Sequence, residues 1–150
     1  MRRDLSGILL KVSKDIDDGL LDKLRAYLKD TDKNWNYILP EELEKMRKKG
    51  TDKKYLILDI RKPDAYKEGH IPGAKNIFWL DILDPANIKK LPEDKKILVV
   101  CYVGHTSSQV VTLLRLLGYD AVSLKFGMGK SPAEGVPVAG WLDYGYDLEK

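Results

Sequence analysis

The sequence predicts an α/β fold, a parallel sheet covered by helices on both faces. Three observations point to it. Residues 55–60, 97–102 and 121–125 are near-continuous apolar runs, the pattern of strands buried on both faces. Helical periodicity occupies segments between them. Strands alternating with helices require crossovers that lay the helices on the sheet. A chain of 150 residues suits one compact domain of this kind with a short extension.

Residues 1–36 read as an N-terminal extension. Leu20, Leu21, Leu24, Tyr27 and Leu28 recur at helical spacing, with Asp22, Lys23, Arg25 and Lys29 between them. Asp17 or Asp18 is placed to cap that helix. Its apolar face needs a cover, either the following domain or a contact that makes an oligomer or binds a partner. Residues 37–150 form the domain proper. A short helix over 41–48 follows Pro40, and the strand at 55–60 comes next. A short strand is expected at 76–79, then a helical stretch over 81–90 limited by Pro85. The strand at 97–102 is the strongest, rich in β-branched residues. A helix over 107–117 groups Val110, Leu113, Leu114 and Leu117 on one face and stops at Gly118. Another strand, 121–125, precedes a Gly- and Pro-rich tail carrying Trp141, Tyr144 and Tyr146, with a turn of helix near 132–135.

Composition excludes several functions. Hydrophobic residues make up 43% and charged residues 33%, ordinary for a folded soluble domain. A net charge of +3, with the basic residues dispersed, argues against nucleic acid or membrane as partner. Lys89, Lys90, Lys95 and Lys96 are interleaved with Glu93 and Asp94 and read as a solvated connection. A single cysteine rules out an internal disulfide and a multi-thiolate metal site; His70 and His105 are too few to build one instead. The apolar run at 7–12, after a basic start and interrupted by lysine, falls short of a signal peptide or a membrane span. Cytoplasmic residence is therefore expected, with export of a trimmed precursor as the alternative.

The chemistry is expected at Cys101-Tyr102-Val103-Gly104-His105-Thr106-Ser107-Ser108, which joins the strongest strand to the clearest helix. Ligands of parallel sheets bind beyond the carboxyl ends of the strands. A helix N-terminus there offers unpaired N–H groups and a partial positive charge. Gly104 lets the loop curl its amides inward, making an anion cradle with a sulfur at its floor. Such a cradle favours the thiolate, the nucleophilic form, and whatever anion that sulfur becomes. Thr106, Ser107 and Ser108 add hydroxyls. The bland alternative is that Cys101 is only a buried strand-end residue.

A second segment shifts the balance. Residues 58–77 contain Asp59-Ile60-Arg61 followed by Gly69-His70-Ile71-Pro72-Gly73-Ala74. This run resembles the signature of the rhodanese family, and the cysteine loop with Leu117-Gly118-Tyr119 and Leu124-Lys125-Phe126-Gly127 resembles the rest of the family pattern. The similarity extends from Ile38 to Gly127. It implies a five-stranded parallel sheet with helices on both faces. It also implies a sulfurtransferase that takes sulfane sulfur from a donor such as thiosulfate or a persulfide, holds it as a cysteine persulfide, and delivers it to a thiol or cyanide without cofactor or metal. Under the resemblance the partners are a small sulfur donor and a thiol acceptor, or an acceptor protein. Cys101 is the sulfur-carrying nucleophile, and Tyr102, Val103, Gly104, His105, Thr106 and Ser107 form the cradle. Asp59, His70, Pro72 and Gly73 shape local structure, with a general base at His70 as the sharper alternative. Arg61 pairs with Asp59 or Glu68, or lends charge to the site.

The sequence departs from the family where charge is concerned. Many members with thiosulfate activity carry Arg or Lys within the loop, whereas here His105 is its only titratable side chain besides Cys101 and Tyr102. Lys125 and Phe126 stand where members commonly have a Gly-Gly pair, and Lys125 can supply part of the missing charge. Two other functions compete. A phosphatase or arsenate reductase of related fold needs an arginine six positions after the cysteine to grip a tetrahedral oxyanion; Ser107 stands there instead. The other is a non-catalytic binding, sulfur-carrier or redox-sensing module.

Overall fold

A computed structural model of the chain describes residues 17–30, 35–129 and 139–150. The apolar run at 7–12 and the helical turn expected near 132–135 lie outside the described residues. The chain divides into two units, residues 1–30 and 31–150. In the first, helix α1 spans Asp18–Lys29. Asp17 caps it, its carboxylate accepting the Leu20 N–H at 2.7 Å. None of its residues is buried.

The second unit is a parallel five-stranded sheet. Its strands are β1 (Tyr37–Ile38), β2 (Tyr55–Asp59), β3 (Lys75–Asn76), β4 (Lys96–Val100) and β5 (Ala121–Leu124), in the spatial order β1-β5-β4-β2-β3. Every pairing is parallel. Helices α2 (Pro40–Lys48), α3 (Pro63–Glu68), α4 (Pro85–Ile88) and α5 (His105–Leu116) make the crossovers. Alternation along each strand separates two cores. Leu58, Ile60, Ile97, Val99 and Ala121 pack with Val110, Val111 and Leu114 of α5. On the other face, Ile57, Leu98, Val100, Val122 and Leu124 pack with Leu43 of α2, Met128 and Trp141. The apolar runs are continuous because both faces are covered. No helix among the described residues is long and apolar enough to cross a membrane.

Several expectations shift. The strand expected at 76–79 is confined to Lys75–Asn76, because a 3-10 turn, Trp79–Asp81, begins straight after Phe78. The helix expected over 81–90 shrinks to Pro85–Ile88, since proline at the first position has no N–H to continue a helix from the preceding turn. The strongest strand stops at Val100. The Cys101 and Tyr102 carbonyls leave the ladder to accept the N–H groups of Met128 (2.9 Å) and Gly129 (3.0 Å). Helix α5 begins two residues early and buries Ser107, Val110, Val111 and Leu114. Leu113 and Leu117, expected inside, are 44% and 59% exposed. Both sets fit helical spacing, and the cysteine loop turns Ser107 inward.

The tail is anchored at both ends. Trp141, fully buried, opens a 3-10 turn, Trp141–Tyr144, and donates its indole N–H to the Asp147 carbonyl at 2.9 Å. Glu149 pairs with His70 in an antiparallel bridge, and its carboxylate accepts the Gly73 N–H at 2.7 Å. Tyr144 also reaches α2. Its hydroxyl, the backbone N–H of Glu41 and, least, Lys45 hold the Glu41 carboxyl below the usual carboxylate range against the opposing effect of burial. A depressed folded-state value stabilises the fold above the ordinary carboxylate range, and this is lost as pH falls through the folded value. Tyr144→Phe should therefore lower the urea midpoint at neutral pH, and the gap from wild type should close in acid. An equal gap at both extremes would exclude the carboxylate as its origin.

Candidate active site

β4 is the middle strand of the sheet, and its carboxyl end delivers Cys101 into the turn that feeds α5. Gly104 occupies the position before the helix with φ 92°, the left-handed region that glycine adopts without strain. A Cβ there would also stand 3.2 Å from the Phe126 backbone nitrogen, tighter than an ordinary contact. The loop thus curls as the sequence predicts, and its amides converge on the sulfur. The Gly104 N–H donates to Cys101 Sγ at 3.1 Å and the Ser107 N–H at 3.4 Å. The thiol donates in turn to Ser107 Oγ at 3.4 Å. Cys101 is buried, 2% exposed, at the N-terminal end of a helix of 12 residues. Two main-chain donors and a positive helix end surround one sulfur, an arrangement that stabilises negative charge there.

A hydroxyl network holds the cradle in shape. Ser108 Oγ donates to the Gly104 carbonyl at 2.7 Å and meets the Tyr37 hydroxyl at 2.9 Å. Ser107 Oγ donates to the same carbonyl at 3.1 Å and lies 2.7 Å from Ser123 Oγ. Tyr37 and Ser123 were not singled out from the sequence. The signal for Ser123 was a hydroxyl inside an otherwise apolar strand, a buried polar group that needs a partner. Tyr102, Val103 and Thr106 are half-buried, and His105 is exposed at the first position of α5.

The other expected site residues divide. Arg61 is buried with Asp59, Nε and Nη2 forking onto the carboxylate at 3.1 and 2.7 Å, and Nη2 also donates to the Gly69 carbonyl at 2.8 Å. Its guanidinium carbon stands 5.8 Å from the centroid of the Tyr102 ring. Of the partners expected for Arg61, the structure selects Asp59, and the charge is compensated within the frame. Lys125 is exposed at the end of β5, its ammonium 5.5 Å from the Phe126 ring centroid. His70 is buried, stacked on Tyr66 at 3.7 Å, with Nδ1 2.9 Å from the Tyr66 carbonyl. This is the structural placement expected for it. Among the described residues, no cluster of His, Cys, Asp and Glu could hold a metal.

The central strand of a parallel α/β domain thus hands a buried cysteine to an amide-lined turn at a helix N-terminus. The family model for the rhodanese-like domain matches residues 39–130, and the chain belongs to that family. A thiosulfate sulfurtransferase GlpE of Pseudomonas syringae pv. syringae is 31% identical over 85 residues, covering 57% of this chain and 74% of the relative. A tRNA sulfurtransferase of Pyrobaculum aerophilum is 40% identical over 70 residues, 47% of this chain but only 14% of that protein. The crystal structure of a rhodanese-related protein from Thermoplasma volcanium superposes with TM-score 0.59 at 26% identity, covering 75% of this chain and 96% of that one. A Bacillus halodurans protein, BH2092, shares the fold at TM-score 0.63 and 22% identity, with 87% and 85% covered.

Proposed function

We propose that this chain is a sulfurtransferase that carries sulfane sulfur as a persulfide on Cys101. The observation that carries the reading is the sulfur itself, held at 3.1 and 3.4 Å from two loop amides at the start of α5. In the first half-reaction the Cys101 thiolate attacks the outer sulfur of a donor R–S–SH. The new S–S bond forms as the donor's S–S bond breaks, giving Cys101–S–SH and R–S⁻. In the second, an acceptor thiolate attacks that outer sulfur, regenerating the Cys101 thiolate and leaving the acceptor as its persulfide. Cyanide in the thiol's place leaves as thiocyanate. No electrons are gained or lost overall, so neither cofactor nor metal is needed. The loop amides serve the thiolate before loading and, once the persulfide has lost its proton, the anion Cys101–S–S⁻ after it.

The charge around the loop favours a persulfide over thiosulfate as donor. A dianion calls for fixed cations, yet Arg61 is compensated by Asp59, and the loop offers only His105, with Lys125 beyond it at the end of β5. Tyr102, Val103 and Thr106 add half-buried side chains to the loop. The GlpE and tRNA sulfurtransferase relatives support the reaction class.

The test is turnover with two donor–acceptor pairs: a glutathione persulfide with a thiol, and thiosulfate with cyanide. Wild type should turn over the first pair faster than the second, and Cys101→Ser should turn over neither. Equal rates for wild type and Cys101→Ser with both pairs would reject the proposal in favour of a binding module.

A further inference from the structure

We infer that Ser123 is a positioning residue for the ionisation of Cys101, acting through the hydroxyl of Ser107. Both serines are buried, 1% and 0% exposed, and their Oγ atoms are 2.7 Å apart. Ser107 Oγ has three neighbours: Cys101 Sγ at 3.4 Å, the Gly104 carbonyl at 3.1 Å and Ser123 Oγ. A hydroxyl has one proton and two acceptor sites, so not all three contacts can be donated by Ser107. The direction of the Ser107–Cys101 bond must follow the state of the sulfur.

With Cys101 as thiol, the S–H donates to Ser107, and Ser107 donates to the Gly104 carbonyl. With Cys101 as thiolate, the sulfur needs donors, and Ser107 turns its proton toward it. The Gly104 carbonyl is not orphaned by this turn, because Ser108 Oγ already donates to it at 2.7 Å. Ser123 donates to Ser107 in both states, because the one Ser107 proton is committed elsewhere, but only in the thiolate state does that bond feed a donor aimed at the charge. A donor chain Ser123→Ser107→Sγ then runs from the neighbouring strand to the anion, each bond polarising the next in a region shielded from water. Without the Ser123 hydroxyl, the turned Ser107 has no donor behind it. Both states lose one hydrogen bond, and the thiolate loses the stronger, charge-polarised one.

Charged and titratable groups around the loop come from each neighbouring element. Among the described residues they are Tyr37 of β1, the Asp59–Arg61 pair at the end of β2, Tyr102 in the loop, His105 at the start of α5 and Lys125 at the end of β5. All remain in the variants proposed, so a change in the Cys101 profile is read against a constant field.

The inference concerns the reactive group of the proposed function but needs no sulfur donor to test. The measurement is the pH dependence of Cys101 alkylation by iodoacetamide. Ser123→Ala should move the midpoint upward by about half to one pH unit and slow alkylation at neutral pH about 3- to 10-fold, as loss of support for a charged hydrogen bond predicts. Ser123→Thr keeps the hydroxyl and should restore the profile, and Ser123→Val, of similar shape, should not. In a Ser107→Ala background, Ser123→Ala should produce no further shift. Profiles for Ser123→Ala and Ser123→Val that superimpose on wild type, or shifts that add in the double variant, would overturn the inference. A protein that fails to load sulfur still answers this test, so the two proposals fail separately.

Discussion

Arg61→Ala is expected to lower the free energy of unfolding by about 3–5 kcal/mol, the cost of removing one partner of a buried ion pair. Asp59 is 1% exposed and Arg61 6%, so neither charge has water to fall back on. The guanidinium also holds the Gly69 carbonyl at 2.8 Å, immediately before the turn that carries His70. Its loss strands a carboxylate at the end of β2 and frees the segment on which the tail bridges through Glu149. Natural domains have about 5–15 kcal/mol to lose, so the variant should be marginal at physiological temperature. Paired replacement, Asp59→Asn with Arg61→Met, should recover much of the loss because no buried charge remains. Urea unfolding measures both. A loss below about 1 kcal/mol for Arg61→Ala would show that the pair is solvated in a way its burial does not suggest.

Gly127→Ala is expected to cut sulfur uptake by at least about tenfold, a larger effect than its cost in stability. Gly127 has φ 55°, and an added Cβ would collide with the Cys101 carbonyl oxygen and stand 2.9 Å from the Tyr102 carbonyl carbon. Those atoms cannot retreat freely, since the same two carbonyls accept the N–H groups of Met128 and Gly129. The strain must pass into the loop and pull the amides of Gly104 and Ser107 away from the sulfur. Gly118→Ala is the control. It has φ 96° with nothing within 4 Å of the added Cβ, so it should cost about 1 kcal/mol and leave uptake unchanged. Equal losses of uptake in the two variants would detach the effect from the contact with Cys101.

The long signals in the sequence were legible, and the short ones were not. β2, β4 and β5 are apolar runs of four or five residues covered on both faces, so composition alone marks them. β1 and β3 have two residues each, too few for any periodicity, and are set by their pairing with β5 and β2. α3 carried a legible sign, Pro63 at its first position, but its six residues are too few for a helical period to show. At the site, Cys101, Gly104 and Ser107 could be assigned, because strand, tight turn and helix follow one another in the chain. Ser123 and Tyr37 reach the loop across sheet neighbours, and sequence spacing does not encode that contact. The fork of Arg61 onto Asp59 was among the readings open to the sequence, and burial decided between them.

The most direct measurement is the intact mass of the protein after brief exposure to thiosulfate, polysulfide and glutathione persulfide, followed by peptide mapping. The account predicts the gain of one sulfur atom, located on Cys101, removed by cyanide or thiol, and absent from Cys101→Ser. A wild-type protein whose mass is unchanged by all three donors, while its thiol remains free to alkylate, would contradict it.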